Sequence, residues 1–423
     1  MNSVSDKMSQ KPTALSPAWL ESVRQESRRK YSQSPLPLRT SHLWRYSDPA
    51  MFVSDNEAVA APPPAIPRLS APPAPTSAQV TVYTGATTVV SIGDQARAAN
   101  VTILSLADAL STCPDLVRKY LGTIVGAEFG KFEALNSAQW RNGVFIYAPR
   151  GVQLVAPISV THIGAEDDGW TFGRTLIALD EGAEATIIEE YASASDTAPA
   201  RSNSVVEVFA EPRSKVSYVT VNRQNSHSTA YYTHRLKLSD HTTATTMAVS
   251  VGGKTLKADM GALLVGERAE SRQYGLVFGS ENQRFDHHTV HLHSGAHGYS
   301  NLDFKVALKD NSRSAYTGLI RVNVDTPHCE AYQSNRNLLL NPGARAESIP
   351  ELEILCDEVI CTHGATVGQI DPMEIFYLMS RGVDAQTATR MIVRGHVEPT
   401  LALLPSGVRE RVTELVESRI AAL

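Results

Sequence analysis

The chain has 423 residues, 42% hydrophobic and 20% charged, which exceeds the usual size of a single core and matches folded globular composition. Its net charge of -5 offers no basic surface to nucleic acid or to an anionic membrane. No run approaches the ~18 apolar residues of a membrane span, the start MNSVSDKMSQKPTALSP lacks an apolar signal core, and four cysteines are too few for a secreted disulfide framework, so a soluble cytoplasmic chain with reduced thiols is expected.

Residues 1–140 read as a mostly helical region. In LSPAWLESVRQESRRKYS, Ser16 is an N-cap candidate, Pro17 suits the first helical position and Glu21 falls in the first turn. Seven prolines between Pro62 and Pro75 make residues 61–77 an extended, semi-rigid linker. Helical spacing returns at 105–122 through Leu106, Leu110, Leu116, Val117 and Leu121, with Pro114 placed to break or restart the helix.

From Gly143 the texture changes to short runs of β-branched and aromatic residues, and strands dominate residues 141–370. Turns recur at Glu181, Glu211, Asp240, Glu267, Asp310 and Pro342, with a further one at Ser294. Recurrence at this period with hardly any helix between is the mark of a β-solenoid, whose rungs bury a shared core by stacking. A large β-sandwich also has short strands and regular turns, but its hairpins would be closer together. Residues 371–423 return to helix: Asp371, Pro372 and Glu374 form an N-terminal cap, and Gly382 a stop. Val408, Val412, Leu415, Val416 and Ile420 mark one apolar face of a last helix, to be buried on the body or a partner.

Three stretches carry possible chemistry. AVSVGGKTLK ends like a phosphate loop, but Ala248 stands where its first glycine belongs and no helix follows, so nucleotide hydrolysis by this chain is rejected. In FDHHTVHLHSGAHG, strand alternation puts His287, His291 and His293 on one face, as metal ligands or as a structural ladder bonded to neighbours or to Asp286. In ILCDEVICTHGATVGQID, a continuous strand would give Cys356 the face of Leu352 and Ile354, as a core thiol, with Cys361 pointing the other way. Cys361 and His363 share a face about 6 to 7 Å apart, close enough to reach one metal centre, and Gly364 admits a close approach. Structural zinc and iron-sulfur clusters each take four protein ligands, and this stretch supplies two, or three if Cys356 bends in, so it cannot close a site by itself.

Several segments carry a resemblance: SNLDFKVALKDNSRSAYTGLIRVN, EAYQSNRNLLLNPGARAES, KFEALNSAQWRNGVFIYAPRGVQLVAPI, PLPLRTSHLWRYSDP and, most specifically, C-T-H-G-A-T-V-G followed by DPMEIFYLMSRG. Together they resemble the SufB/SufD family of the SUF iron-sulfur cluster assembly machinery, on its SufD side. The resemblance implies a mainly β fold, a right-handed parallel β-helix between helical terminal regions. It implies a non-catalytic scaffold pairing with a SufB-type subunit through the β-helix core and with a SufC-type ATPase through the C-terminal helices. It also implies a transient iron-sulfur cluster shared with the partner, with His363, and Cys361 beside it, near that interface. Cys356 and the proline-rich linker are outside the family pattern, and nothing in the sequence indicates a reduced flavin. Two rivals follow from the residues: a β-solenoid enzyme acting on carbohydrate or acyl groups, which needs a cleft of convergent carboxylates, and a stand-alone metalloprotein using the His287, His291 and His293 face.

Overall fold

The computed structural model describes residues 17–54, 76–83, 87–164, 169–404 and 406–422; Ser16 and most of the proline-rich linker lie outside them. Helix α1 (Ala18–Gln33) begins one residue later than its proline suggests, because Pro17 acts as the cap position and its carbonyl accepts from Leu20 and Glu21. Strands β1 (Ala78–Tyr83) and β2 (Thr88–Ile92) form a hairpin, followed by α2 (Asp94–Ala98) and β3 (Thr102–Ser105). Both β1 and β3 join the main sheets, so strands extend into the segment where the sequence emphasises helices. Helices α3 (Leu106–Thr112) and α4 (Pro114–Tyr120) meet at Cys113, where Pro114 restarts the helix, and α5 (Lys131–Gln139) packs against α1.

The rest of the core is a parallel β-solenoid of two sheets. One contains β4 (Asn142–Ala148), β6 (Trp170–Leu179), β8 (Arg201–Ala210), β10 (Thr229–Leu238), β12 (Thr255–Leu264), β14 (Arg284–His293), β16 (Arg313–Val322) and β18 (Arg345–Ile354). The other contains β5 (Ile158–Gly164), β7 (Glu184–Ser193), β9 (Lys215–Asn222), β11 (Thr243–Ser250), β13 (Glu270–Gly279), β15 (Tyr299–Leu308), β17 (Cys329–Leu339) and β19 (Val359–Gln369). The chain alternates between sheets, and each strand pairs in parallel with the strand two further on. The GGKT sequence lies between β11 and β12, a strand-turn-strand setting with no helix after it.

One corner explains the turn recurrence. Gly182, Arg213, His241, Arg268 and His297 all have a positive φ, and each N–H donates to a carbonyl in the corner of the next rung. This backbone ladder satisfies groups that a bend would otherwise bury unpaired, and it fixes one turn geometry rung after rung. Asp310, also at positive φ, belongs to the opposite corner, which is why the gap from Glu267 to Asp310 is the long one.

Strand alternation fills the interior with Ile177, Val206, Leu236 and Ala262, all buried. Outside, the two sheets are covered by different ends of the chain. Trp44, Phe52 and Phe132 from the N-terminal region stack with Tyr231 on the back of the β4–β18 sheet. At the C-terminus, α6 (Pro372–Ser380) is followed by α7 (Ala385–Leu401) and α8 (Ser406–Ala421). Val393, Val397, Val412, Val416 and Ile420 of the last two seal Val219, Val249, Tyr274 and Leu276 on the back of the other sheet. The apolar stripe read in the sequence is thus spent on this chain's own body.

The open end of the solenoid as candidate functional site

β18 and β19 are the last strands of the two sheets, so among the described residues each presents an edge with no strand beyond it. β17 buries every second residue: Cys329, Ala331, Gln333, Asn335 and Asn337 face inward. Register carries that parity to β19, where Cys361 pairs with Ala331 and His363 with Gln333, so both project from the inner face. His363 is exposed there only because no further rung covers it. A Cβ built on Gly364 or Gly368 meets nothing within 4 Å. The edge is open backbone beside an open side-chain face.

Polar groups beneath this mouth are incompletely bonded. Among the described residues neither Gln333 Nε2 nor Oε1 has a partner, nor has Ser348 Oγ, whereas Asn337 Nδ2 donates to the Thr366 carbonyl at 3.0 Å. Buried groups of this kind carry a desolvation cost that a covering partner or water would relieve.

The structure corrects the reading of Cys356. β18 ends at Ile354 and the chain turns before β19, so face counting does not carry across residues 355–358. Cys356, only half-buried, therefore packs in the same apolar corner as Cys361, with Cys329, Leu302 and Val322. Cys329 was missed by sequence reasoning; the signal was the rung period, which sets the β17 and β19 strands side by side. Burial pushes the Cys361 thiol up, with Cys329 adding to it, and burial likewise raises Cys329. These are protonated thiols in the free chain, and a metal centre would have to displace the proton.

His287, His291 and His293 do share the inner face of β14, but they lie deep in the solenoid. His287 Nε2 is 2.9 Å from Ser250 Oγ, His291 Nε2 is 3.1 Å from Gln273 Oε1, and His293 Nε2 is 2.8 Å from Ser300 Oγ. Asp286 faces outward instead and binds Ser47 and Lys257. Burial lowers all three imidazoles, to about 4, 3 and 4 in chain order. They are neutral struts bonded to neighbouring rungs, and among the described residues no three His, Cys, Asp or Glu side chains are grouped as a metal would need.

The helix α6 is the second uncovered feature. Asp371 Oδ1 accepts from the Met373 amide at 2.8 Å and Pro372 opens the helix as its sequence suggests, yet none of its residues is buried. Met373, Phe376 and Tyr377, spaced three and four apart on one side, are each more than half exposed. No helix among the described residues is long and apolar enough to cross a membrane.

Stacked parallel rungs between helical ends define a β-solenoid protein, and sequence comparison gives its family. The chain belongs to the SufBD family: residues 162–396 match the description "SUF system FeS cluster assembly, SufBD core domain", and residues 78–160 match the SufBD N-terminal region. Its role is accordingly in iron-sulfur cluster assembly. It is 25% identical to the iron-sulfur cluster assembly protein SufD of Bacillus subtilis over 415 residues, 96% of this chain and 94% of that protein. It is 28% identical to SufBD family proteins of Staphylococcus saprophyticus and Staphylococcus aureus over 310 residues, 73% of this chain and 66% of theirs.

Proposed function

We propose that this chain is a non-catalytic scaffold subunit of a cytoplasmic SUF complex. Its open solenoid end receives a SufB-type subunit, and the two chains hold a nascent iron-sulfur cluster between them. The carrying observation is the placement of Cys361 and His363 on the inner face of the terminal strand, with no further rung above them. Two ligands from one chain leave a four-ligand cluster to be completed by the other, and such a divided site releases its cargo when the chains separate or shift. α6 is the reading's second contact: its exposed Met373, Phe376 and Tyr377 are an anchor set for a SufC-type ATPase.

The test is anaerobic reconstitution with SufB-type and SufC-type subunits, iron and a sulfide source. The variant His363→Ala should leave the complex intact by size exclusion while lowering cluster absorbance several-fold. Unchanged cluster yield removes His363 from the ligand set. Phe376→Ala with Tyr377→Ala should abolish ATPase capture while retaining the SufB-type partner. Point changes are needed because deleting residues after Asp371 would also strip α7 and α8 from Val219, Tyr274 and Leu276.

A further inference from the structure

Behind the β4–β18 sheet, away from the open end's inner face, the N-terminal segment at residues 39–51 overhangs the outer surface beside a partly open cavity of about 470 Å³, on whose wall Arg284, Arg313 and Arg345 are exposed. That size suits a small molecule. The segment is tied down on both sides: Lys257 Nζ donates to the Leu43 carbonyl at 2.7 Å, Ser47 Oγ donates to Asp286 Oδ2 at 2.5 Å, and His42 Nδ1 lies 3.4 Å from Glu351 on β18.

The wall of this cavity is an arginine ladder. Arg284, Arg313 and Arg345 occupy one register position on three adjacent strands and project outward, since their neighbours Phe285 and Ser314 face the interior. Adjacent strands are about 4.8 Å apart, so three guanidiniums stand in a row, each able to offer a parallel pair of N–H donors. None of the three forms an ion pair or side-chain hydrogen bond among the described residues, whereas Arg235, elsewhere on the same sheet, is paired with Asp259 at 2.8 Å. The next outward position of each strand reads Asp286, Ala315 and Glu347, and the methyl of Ala315 leaves the hollow between them. Arg39, Arg45 and Lys254 add to the lining, so six cations face three carboxylates, Asp48, Asp286 and Glu347, of which Asp286 is already neutralised by Lys257 at 3.0 Å.

Three like charges stacked at strand spacing repel one another, and the fewer carboxylates of the same cavity, none of them paired with these arginines among the described residues, leave a net positive charge there. We infer that this cavity binds a small polyphosphate group, its successive phosphoryl oxygens lying along Arg284, Arg313 and Arg345. The cavity's volume is that of a small-molecule site, and the overhang of residues 39–51 limits its extent along the sheet, which favours a small anion over an extended acidic protein segment. The site lies on the outer face of one sheet, whereas Cys361 and His363 lie on the inner face of the other, and it does not depend on the scaffold reading. Lys254 belongs to the GGKT turn rejected as a nucleotide-hydrolysing loop, and in this role it supplies charge without catalysis.

Titration calorimetry of the full chain at about 0.15 M salt tests the inference, with tripolyphosphate, pyrophosphate and orthophosphate as probes. Tripolyphosphate should bind saturably with one site per chain and at least about ten times tighter than orthophosphate, which can engage fewer forks. Arg313→Ala should weaken tripolyphosphate at least about tenfold, while Arg97→Ala, a surface arginine paired with Asp94, leaves it unchanged. Arg345→Ala provides an independent variant should Arg313→Ala melt abnormally. No saturable heat up to about 1 mM tripolyphosphate, equal loss in Arg97→Ala, or tighter binding of a hexaglutamate peptide than of tripolyphosphate would each overturn it.

Discussion

The middle of the solenoid and its C-terminal end are built on the same rung, yet they differ in what lies beyond them. In the middle, each strand is bonded on both edges, its inner residues meet the next rung, and much of the outer face is covered by the terminal regions of the chain. At the end, β19 repeats the parity of β17 but exposes His363, Ala365 and Val367 where β17 buries Gln333, Asn335 and Asn337. Alternation therefore encodes where side chains point, whereas burial depends on whether another rung follows. A solenoid's last rung carries an interior face to its surface, and that is where an interaction site comes without added machinery.

The contrast can be broken most strongly in the middle. Arg174 and Glu207 are buried as an ion pair, and Glu207 also accepts from the backbone amides of Gly122, Ile124 and Val125. Glu207→Ala should cost roughly 3–5 kcal/mol in urea unfolding by leaving a buried guanidinium unpaired. A smaller effect, roughly 2–5 kcal/mol, is expected for Leu302→Ala at a fully buried position beside the cysteine corner. Ile360→Ala, 55% exposed on β19, should stay within about 0.5 kcal/mol. Ile360→Asp should instead weaken SufB-type partner binding while the isolated chain melts normally; undiminished binding would move the docking surface elsewhere.

Acid sharpens the same comparison. His234, His287 and His293 are lowered by burial to about 4 and His291 to about 3, from an unfolded value of 6.5. Between those values the unfolded chain binds protons that the native chain refuses, so stability falls as pH drops from 6.5 towards 4. Each buried imidazole contributes a slope of about 1.4 kcal/mol per pH unit in that window. Burial pushes Glu189 up, but the hydrogen bond and charge of His162, with Tyr218 and Thr175, outweigh it and hold the carboxyl at about 2. Its stabilisation is present above an unfolded value of 4.5 and is lost as pH falls towards 2. Urea midpoints at pH 7.5, 6.0 and 5.0 should decline, with a shallower decline in His287→Gln; a flat series would contradict the neutral buried assignment. The smallest expected effect is that of His363→Ala on stability, within about 0.5 kcal/mol, since an exposed side chain holds nothing in place.

The solenoid was legible because its strands alternate and its corners recur, and the corner ladder through Arg213, His241, Arg268 and His297 gives that recurrence its cause. The shared face of Cys361 and His363 followed from alternation within β19 alone. Cys356 misled because alternation stops at a turn, and the turn at residues 355–358 has no glycine or proline to announce it. Cys329 and Gln333 were invisible for a different reason: they are neighbours of Cys361 and His363 only through register, one rung and about thirty residues away in sequence. The arginine ladder has the same origin, being a column down the sheet rather than a motif along the chain.

An unfinished edge also has a social consequence. β19 offers eleven residues of unpaired backbone with two glycines among them and no charged Lys, Arg, Asp or Glu to discourage pairing. Such an edge accepts whichever strand arrives first, a second copy of the same chain included. The chain purified alone should therefore self-associate as its concentration rises, which sedimentation velocity would read, and a charge placed at Ile360 should suppress it.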